Sequence, residues 1–334
     1  MKKKIKIAVF GSNSYAGRAF IKYALKKGYS IFASSRSKEI KKTFRIYKPY
    51  INKNNYNYVK FDINNNFQRN NVFKIINKKK IKYIVDFSSQ SMVGQSWITP
   101  EDWINTNCLG KYKLIKKISS IKHKYRFVRI STPEVYGNKP GKIKENDEFK
   151  PSTPYAVTQA TADNFFDIYS RFKNLNYVNL RFANFYGPGQ QIYRIIPKTI
   201  YCILNNKKLE VHGKGLSERS FIFEDDFSDA IIKSLTKSKQ GETYNISSKK
   251  VIKIIDLVKL ICKLTDYSYK KLVIFKKDRL AKDQKYLLDS SKARKIMNWD
   301  EKYSLEDGLK ETIRWFKQNN NSISLSDLNY SHKK

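Results

Sequence analysis

Two rhythms of apolar residues alternate along the first 130 positions of the chain. Short runs rich in β-branched and aromatic side chains occupy 5–10, 30–33, 58–61, 81–87 and 126–130, while stretches with apolar residues three and four apart lie between them at 18–27, 67–78 and 106–121. The first pattern is that of strands buried on both faces, the second that of helices with one apolar stripe. Their alternation predicts an α/β fold, a doubly wound parallel sheet with helices on both faces. A helix at 155–173 and a strand at 177–181 extend it. From about 186 the rhythm loosens around Pro188, Gly189, Gly213 and Gly215, and helix-length stretches at 252–264 and 305–318 close the pattern. The expected organisation is a sheet domain over 1–185, a smaller C-terminal α/β lobe over 186–318 covering the open edge of the sheet, and a frayed polar tail over 319–334.

Composition changes this picture little. With 334 residues, 40% of them apolar, the chain can bury a substantial core. No apolar run reaches the length of about 18 residues that a membrane helix needs, so no membrane insertion is expected. The basic start Met1-Lys2-Lys3-Lys4 leads into a run too short for a signal peptide and reads as the approach to a first strand. The net charge of +38 invites a nucleic-acid reading. Its lysines, however, are spread over nearly the whole chain amid abundant Asn and Ile, the mark of a compositional bias, so no specific nucleic-acid partner is expected. A positive field still attracts anionic ligands. Cys108, Cys202 and Cys262 are far apart, which suits a reducing, cytoplasmic compartment. His123, His212 and His332 are isolated, so no metal site is expected.

Candidate chemistry begins directly after the first strand, at Gly11-Ser12-Asn13-Ser14-Tyr15-Ala16-Gly17. A tight turn opening a helix there lets backbone N–H groups approach a pyrophosphate, with the helix dipole favouring its charge. Ser14 stands where a middle glycine is usual; Gly11, Ser14, Tyr15 and Gly17 are the expected contacts. The second strand ends Ala33-Ser34-Ser35-Arg36, with a cation and no acid, which favours the 2′-phosphate of NADP, NAD being the other possibility. Asp62, at the end of the third strand, is a candidate for the adenine amino group.

Two later segments, Ser131-Thr132-Pro133-Glu134-Val135-Tyr136-Gly137 and Pro154-Tyr155-Ala156-Val157-Thr158-Gln159, carry the reactive groups. A hydroxyl is oxidised when a base takes its proton while hydride leaves the same carbon. A tyrosine serves as that base once neighbouring positive charge draws its pKa down from about 10. Tyr155 and Gln159 are one helical turn apart and share a face. In the usual Tyr-x-x-x-Lys arrangement a lysine supplies the charge and holds the nicotinamide ribose. Gln159 can make the ribose hydrogen bonds but brings no charge.

These segments together resemble the extended short-chain dehydrogenases/reductases, specifically the sugar-nucleotide 4,6-dehydratases of the dTDP-glucose and GDP-mannose types, over about 5–316. Further matching segments are Ser88-Ser89-Gln90-Ser91, Asn105-Thr106-Asn107 with Gly110, Arg181 through Pro188, His212-Gly213-Lys214-Gly215, Arg219-Ser220-Phe221 with Asp226, and Asp278-Arg279. The resemblance implies a Rossmann-type sheet. By it, Thr132 binds a C4 hydroxyl, Tyr155 is the base and Glu134 removes the C5 proton before water leaves C6. It also implies that Ser88 contacts the cofactor and that Ser91, Asn184, Arg219 and Arg279 hold the sugar nucleotide. Pro133 stands where the family has Asp or Ser and can donate nothing to the leaving hydroxyl. A homodimer through helices near 106–121 and 155–172 is implied as well. Glu134 separates this reading from a simple C4 epimerase. A decarboxylase also retains Glu, and a sugar-nucleotide binder without chemistry is the reading from another class.

Overall fold

Four of the five residues of Lys6–Phe10 are buried, because the strand lies at the centre of a sheet with helices on both faces. The computed structural model describes residues 5–277, 287–324, 330 and 332. Its seven-stranded sheet has the spatial order Tyr56–Lys60, Ser30–Ser35, Lys6–Phe10, Tyr83–Asp86, Arg126–Ser131, Tyr177–Phe182, Thr243–Ile246, every pairing parallel. Ile7 faces Ile31 on one side and Tyr83 on the other. The chain thus winds outward in both directions from Lys6–Phe10, and a crevice opens at the carboxyl ends beside it, the position where such sheets take ligands.

The helix predicted from 18 begins earlier and spans Tyr15–Lys26, because the Ser14 side chain accepts the Gly17 N–H and caps it. The helix predicted from 106 also begins earlier. Pro100–Trp103 leads through a π-helical stretch, Ile104–Gly110, into Lys111–Ser119. The wider turns of that stretch break the 3.6-residue period on which the sequence reading depended. Pro154–Lys173 is a single 20-residue helix capped by Thr153.

The chain crosses position 186 and then returns to the sheet. Glu224–Lys237 packs on Tyr15–Lys26, and Thr243–Ile246 pairs with Tyr177–Phe182 as the seventh strand. Trp299, buried beside them, donates its indole N–H to the Asp226 carbonyl at 3.0 Å. A second core includes Tyr186, Ile200, Leu209, Ile261 and Phe316. Ile323 is buried in it, and Asn205 donates to Asn320 at 3.0 Å, so 319–323 is anchored where fraying was expected. His332 stacks on Trp103 and lies 2.7 Å from the Asp102 carboxylate. No helix among the described residues is long and apolar enough to cross a membrane.

Candidate active site

The turn after Lys6–Phe10 is shaped for close approach. Gly11 has φ +71°, and a Cβ there would lie 2.6 Å from the Phe87 carbonyl carbon and the Ser88 nitrogen. A Cβ on Gly17 would lie 2.6 Å from the Gly11 carbonyl oxygen. Ser14 closes the turn, donating to the Gly11 carbonyl at 2.7 Å while accepting from Gly17 N–H at 3.0 Å. Gly11 and Ser14 line a cleft together with Ser35, Arg36, Asp62, Ser88 and Ser89. These residues suit a dinucleotide: a glycine cradle at a helix start for the pyrophosphate, and polar groups at three successive strand ends. Asp62 also accepts from Asn64 N–H at 2.8 Å, so it shapes its own turn as well as facing the cleft. Tyr15 differs from expectation in its side chain. The ring stacks on Phe185 and the hydroxyl donates to Glu224 at 2.7 Å, which leaves only its backbone for a cofactor.

Beneath the cleft, Lys111 Nζ lies 2.5 Å from Asp86 Oδ2 and bonds the Ser88 carbonyl. Ser88 in turn donates its N–H to Asp86 at 2.9 Å. Burial pushes the Lys111 ammonium down to about 8, against the pull of Asp86. The pair pins the Ser88 loop from below.

Thr132 directly follows the strand Arg126–Ser131, and its hydroxyl accepts the Glu134 N–H at 3.3 Å, capping the short turn Pro133–Tyr136. Pro133 is buried at the first position of that turn, where its missing N–H is no loss. Tyr155 enters from the facing helix. Its backbone N–H, an orphan at the helix start, donates to Ser96 Oγ at 3.1 Å. Its hydroxyl stands close enough to the Thr132 side chain for Thr132 to draw the phenol down, and both residues are 8% exposed. Burial and then the Glu134 carboxylate hold the Tyr155 phenol well above its ordinary range, with the Thr132 side chain and the guanidiniums of Arg194 and Arg129 opposing them. Thr132, Glu134 and Tyr155 are therefore brought together.

Gln159 is 2% exposed. Its amide nitrogen donates to Ser89 Oγ at 2.5 Å, and its amide oxygen accepts from Arg129 at 2.8 Å. Arg129 also pairs with Asp163 at 2.8 Å, and Asp163 pairs with Arg181 at 2.9 Å. Sequence reasoning missed Asp86, Lys111, Arg129 and Asp163. The available signal was a charged residue inside an apolar strand, as in Tyr83-Ile84-Val85-Asp86 and Phe127-Val128-Arg129-Ile130, since such a charge must find a partner.

The expected sugar-nucleotide residues are less gathered. Ser91 is exposed, Asn184 donates to the Ser220 carbonyl at 3.5 Å, and Arg219 donates to the Glu218 carbonyl at 2.8 Å. Arg279 lies outside the described residues.

A sequence model of the family described as GDP-mannose 4,6 dehydratase matches residues 9–312. The chain is 30% identical over 261 residues to dTDP-glucose 4,6-dehydratase 1 of Escherichia coli K12, covering 71% of this chain and 72% of that one. It is 31% identical over 275 residues to a trifunctional UDP-glucose 4,6-dehydratase/3,5-epimerase/reductase of Arabidopsis thaliana, covering 81% of this chain and 41% of the plant protein. The chain thus spans about two-fifths of that multifunctional relative. Among solved structures, dTDP-glucose 4,6-dehydratase of Bacillus anthracis in complex with NAD superposes with a TM-score of 0.84 at 27% identity, covering 95% of this chain and 98% of that one.

Proposed function

We propose that this chain, which belongs to the GDP-mannose 4,6-dehydratase family, converts a nucleoside-diphosphate hexose to its 4-keto-6-deoxy form. The observation that carries the reading is the proximity of Thr132, Glu134 and Tyr155, with Glu134 on the turn that Thr132 caps and both acting on the buried Tyr155 phenol. Thr132 orients the C4 hydroxyl and Tyr155 takes its proton. A ketone at C4 makes the C5 proton acidic, and Glu134, whose carboxylate stands close enough to raise the Tyr155 phenol, removes it. Pro133 offers no donor to the departing C6 hydroxyl, so Glu134, protonated by the preceding step, returns its proton there. A nicotinamide cofactor, when bound, accepts hydride from C4 and gives it back at C6.

Gly11, Ser14, Ser88 and Gln159 would hold that cofactor. Arg36, at the second strand's end in the cleft, supports NADP over the NAD bound by the Bacillus anthracis relative. A C4 epimerase needs no carbon base, and Glu134 beside Tyr155 argues against it. Exposed Ile104, Leu109, Val157 and Phe172 on the helical segments 100–119 and 154–173 support a homodimer formed through them. Three unpaired cysteines support a cytoplasmic setting. The test is proton NMR in D2O with dTDP-, GDP-, CDP- and UDP-hexoses: a 6-deoxy methyl signal with deuterium at C5 supports the reading. An epimerised hexose with no methyl signal would replace it.

A further inference from the structure

The helix face that should carry a lysine carries Gln159, and the structure puts a guanidinium directly behind it. Arg129 is fully buried on the strand Arg126–Ser131, with one terminal nitrogen 2.8 Å from Gln159 Oε1 and 3.3 Å from the Gln159 carbonyl. We propose that Arg129 replaces the missing lysine: it supplies the positive charge from one layer deeper, and it fixes the Gln159 amide so that its nitrogen faces the cofactor cleft. Arg129 is a positioning residue, acting through Gln159 and through its field. The inference rests on the reading of Tyr155 as the base.

Three features of the site carry it. A glutamine amide has two orientations, and Arg129 selects one, since only the amide oxygen can accept from a guanidinium. The nitrogen is thereby left for Ser89, a residue of the cleft wall, at 2.5 Å. The charge count is uneven, with two guanidiniums, Arg129 and Arg181, sharing the one carboxylate of Asp163. The other charges around the helix do not remove this excess. Lys111 and Asp86 neutralise one another, and the Glu145 carboxylate has the Lys292 ammonium acting on it. Arg194, though exposed, also draws the Tyr155 phenol down and adds to the positive side, whereas Arg129 is the buried guanidinium and the one that holds Gln159. Against them, the Glu134 carboxylate holds the Tyr155 phenol up. Finally, a lysine at 159 would point its ammonium at Arg129 in a buried site. Arg129 and Gln159 therefore belong together, as would a neutral residue at 129 with a lysine at 159.

The experiment compares the wild type with Arg129→Met, Arg129→Lys, Gln159→Lys and the double variant Arg129→Met/Gln159→Lys. Asp163 keeps Arg181 when Arg129 is removed, so Arg129→Met retains a neutral pair and should fold. Thermal unfolding without ligands reads the pairing directly. Gln159→Lys alone should lower the midpoint by about 5 °C, and the same change made in the Arg129→Met variant should lower it little or not at all. The pH dependence of the first half-reaction in single turnover reads the charge. Its basic-group limb should move up about one pH unit in Arg129→Met, a tenfold loss of rate at fixed pH below it, stay near wild type in Arg129→Lys, and return in the double variant. Additive midpoints, or a limb that does not move in Arg129→Met, would overturn the proposal. If the wild type is inert toward every sugar nucleotide, the functional reading fails, while the unfolding comparison still decides whether position 159 answers to Arg129.

Discussion

Lys111 and Asp86 meet at 2.5 Å with their side chains 1% and 0% exposed, directly under the Ser88 loop that lines the cleft beside Gly11 and Ser14. Removing one partner of such a pair leaves an uncompensated buried charge. Lys111→Met should therefore cost about 3–5 kcal/mol of stability and weaken dinucleotide binding, because Ser88 loses its support from below. Urea unfolding and a fluorescence titration with cofactor check the two effects separately.

Asp163 gives the fold a defined acid dependence. Burial alone would raise its carboxyl, but the guanidiniums of Arg129 and Arg181 outweigh burial and hold it below the ordinary carboxylate range. Its contribution is fully present above the unfolded value of about 3.9 and is lost as pH falls from there through the lower folded value. Asp163→Asn should flatten the pH dependence of stability in that acid window. At neutral pH it should cost about 3–5 kcal/mol, since two buried guanidiniums then face each other without a carboxylate. Denaturant midpoints measured from neutral to acid pH test both.

Tyr155 and Glu134 should fail at different steps. Tyr155→Phe should lower C4 oxidation by about 10²–10⁴-fold. Glu134→Gln should still oxidise C4, leaving reduced cofactor visible at 340 nm in single turnover, yet incorporate no deuterium at C5. Loss of both events in Glu134→Gln would show that this carboxylate also acts in the first step.

Arg36 should choose the dinucleotide. Arg36→Ser should weaken NADP binding by about tenfold or more while leaving NAD affinity nearly unchanged, as expected for loss of a hydrogen bond to a charged phosphate. Equal losses for both dinucleotides would assign Arg36 to general attraction of anions.

The sheet was legible because parallel strands buried on both faces leave uninterrupted apolar runs, as at Ile7-Ala8-Val9-Phe10. The seventh strand, Thr243–Ile246, was not, being four residues long with an asparagine among them. The meeting of Thr132, Glu134 and Tyr155 was legible because the three sit in short local motifs. The buried charges around them were not: Arg129 reaches Gln159 across 30 positions and Lys111 reaches Asp86 across 25, and no local pattern pairs such residues. The extra residues of the Pro100–Trp103 helix were hidden by the π-helical stretch that follows it.

The most direct test of the central claim follows a deuterium placed at C4 of the sugar nucleotide found to be a substrate. A 4,6-dehydratase carries that deuterium into the C6 methyl group of the product, with no lasting gain of reduced cofactor. Deuterium retained at C4 of an epimerised hexose, or recovered in released reduced cofactor, would contradict the account.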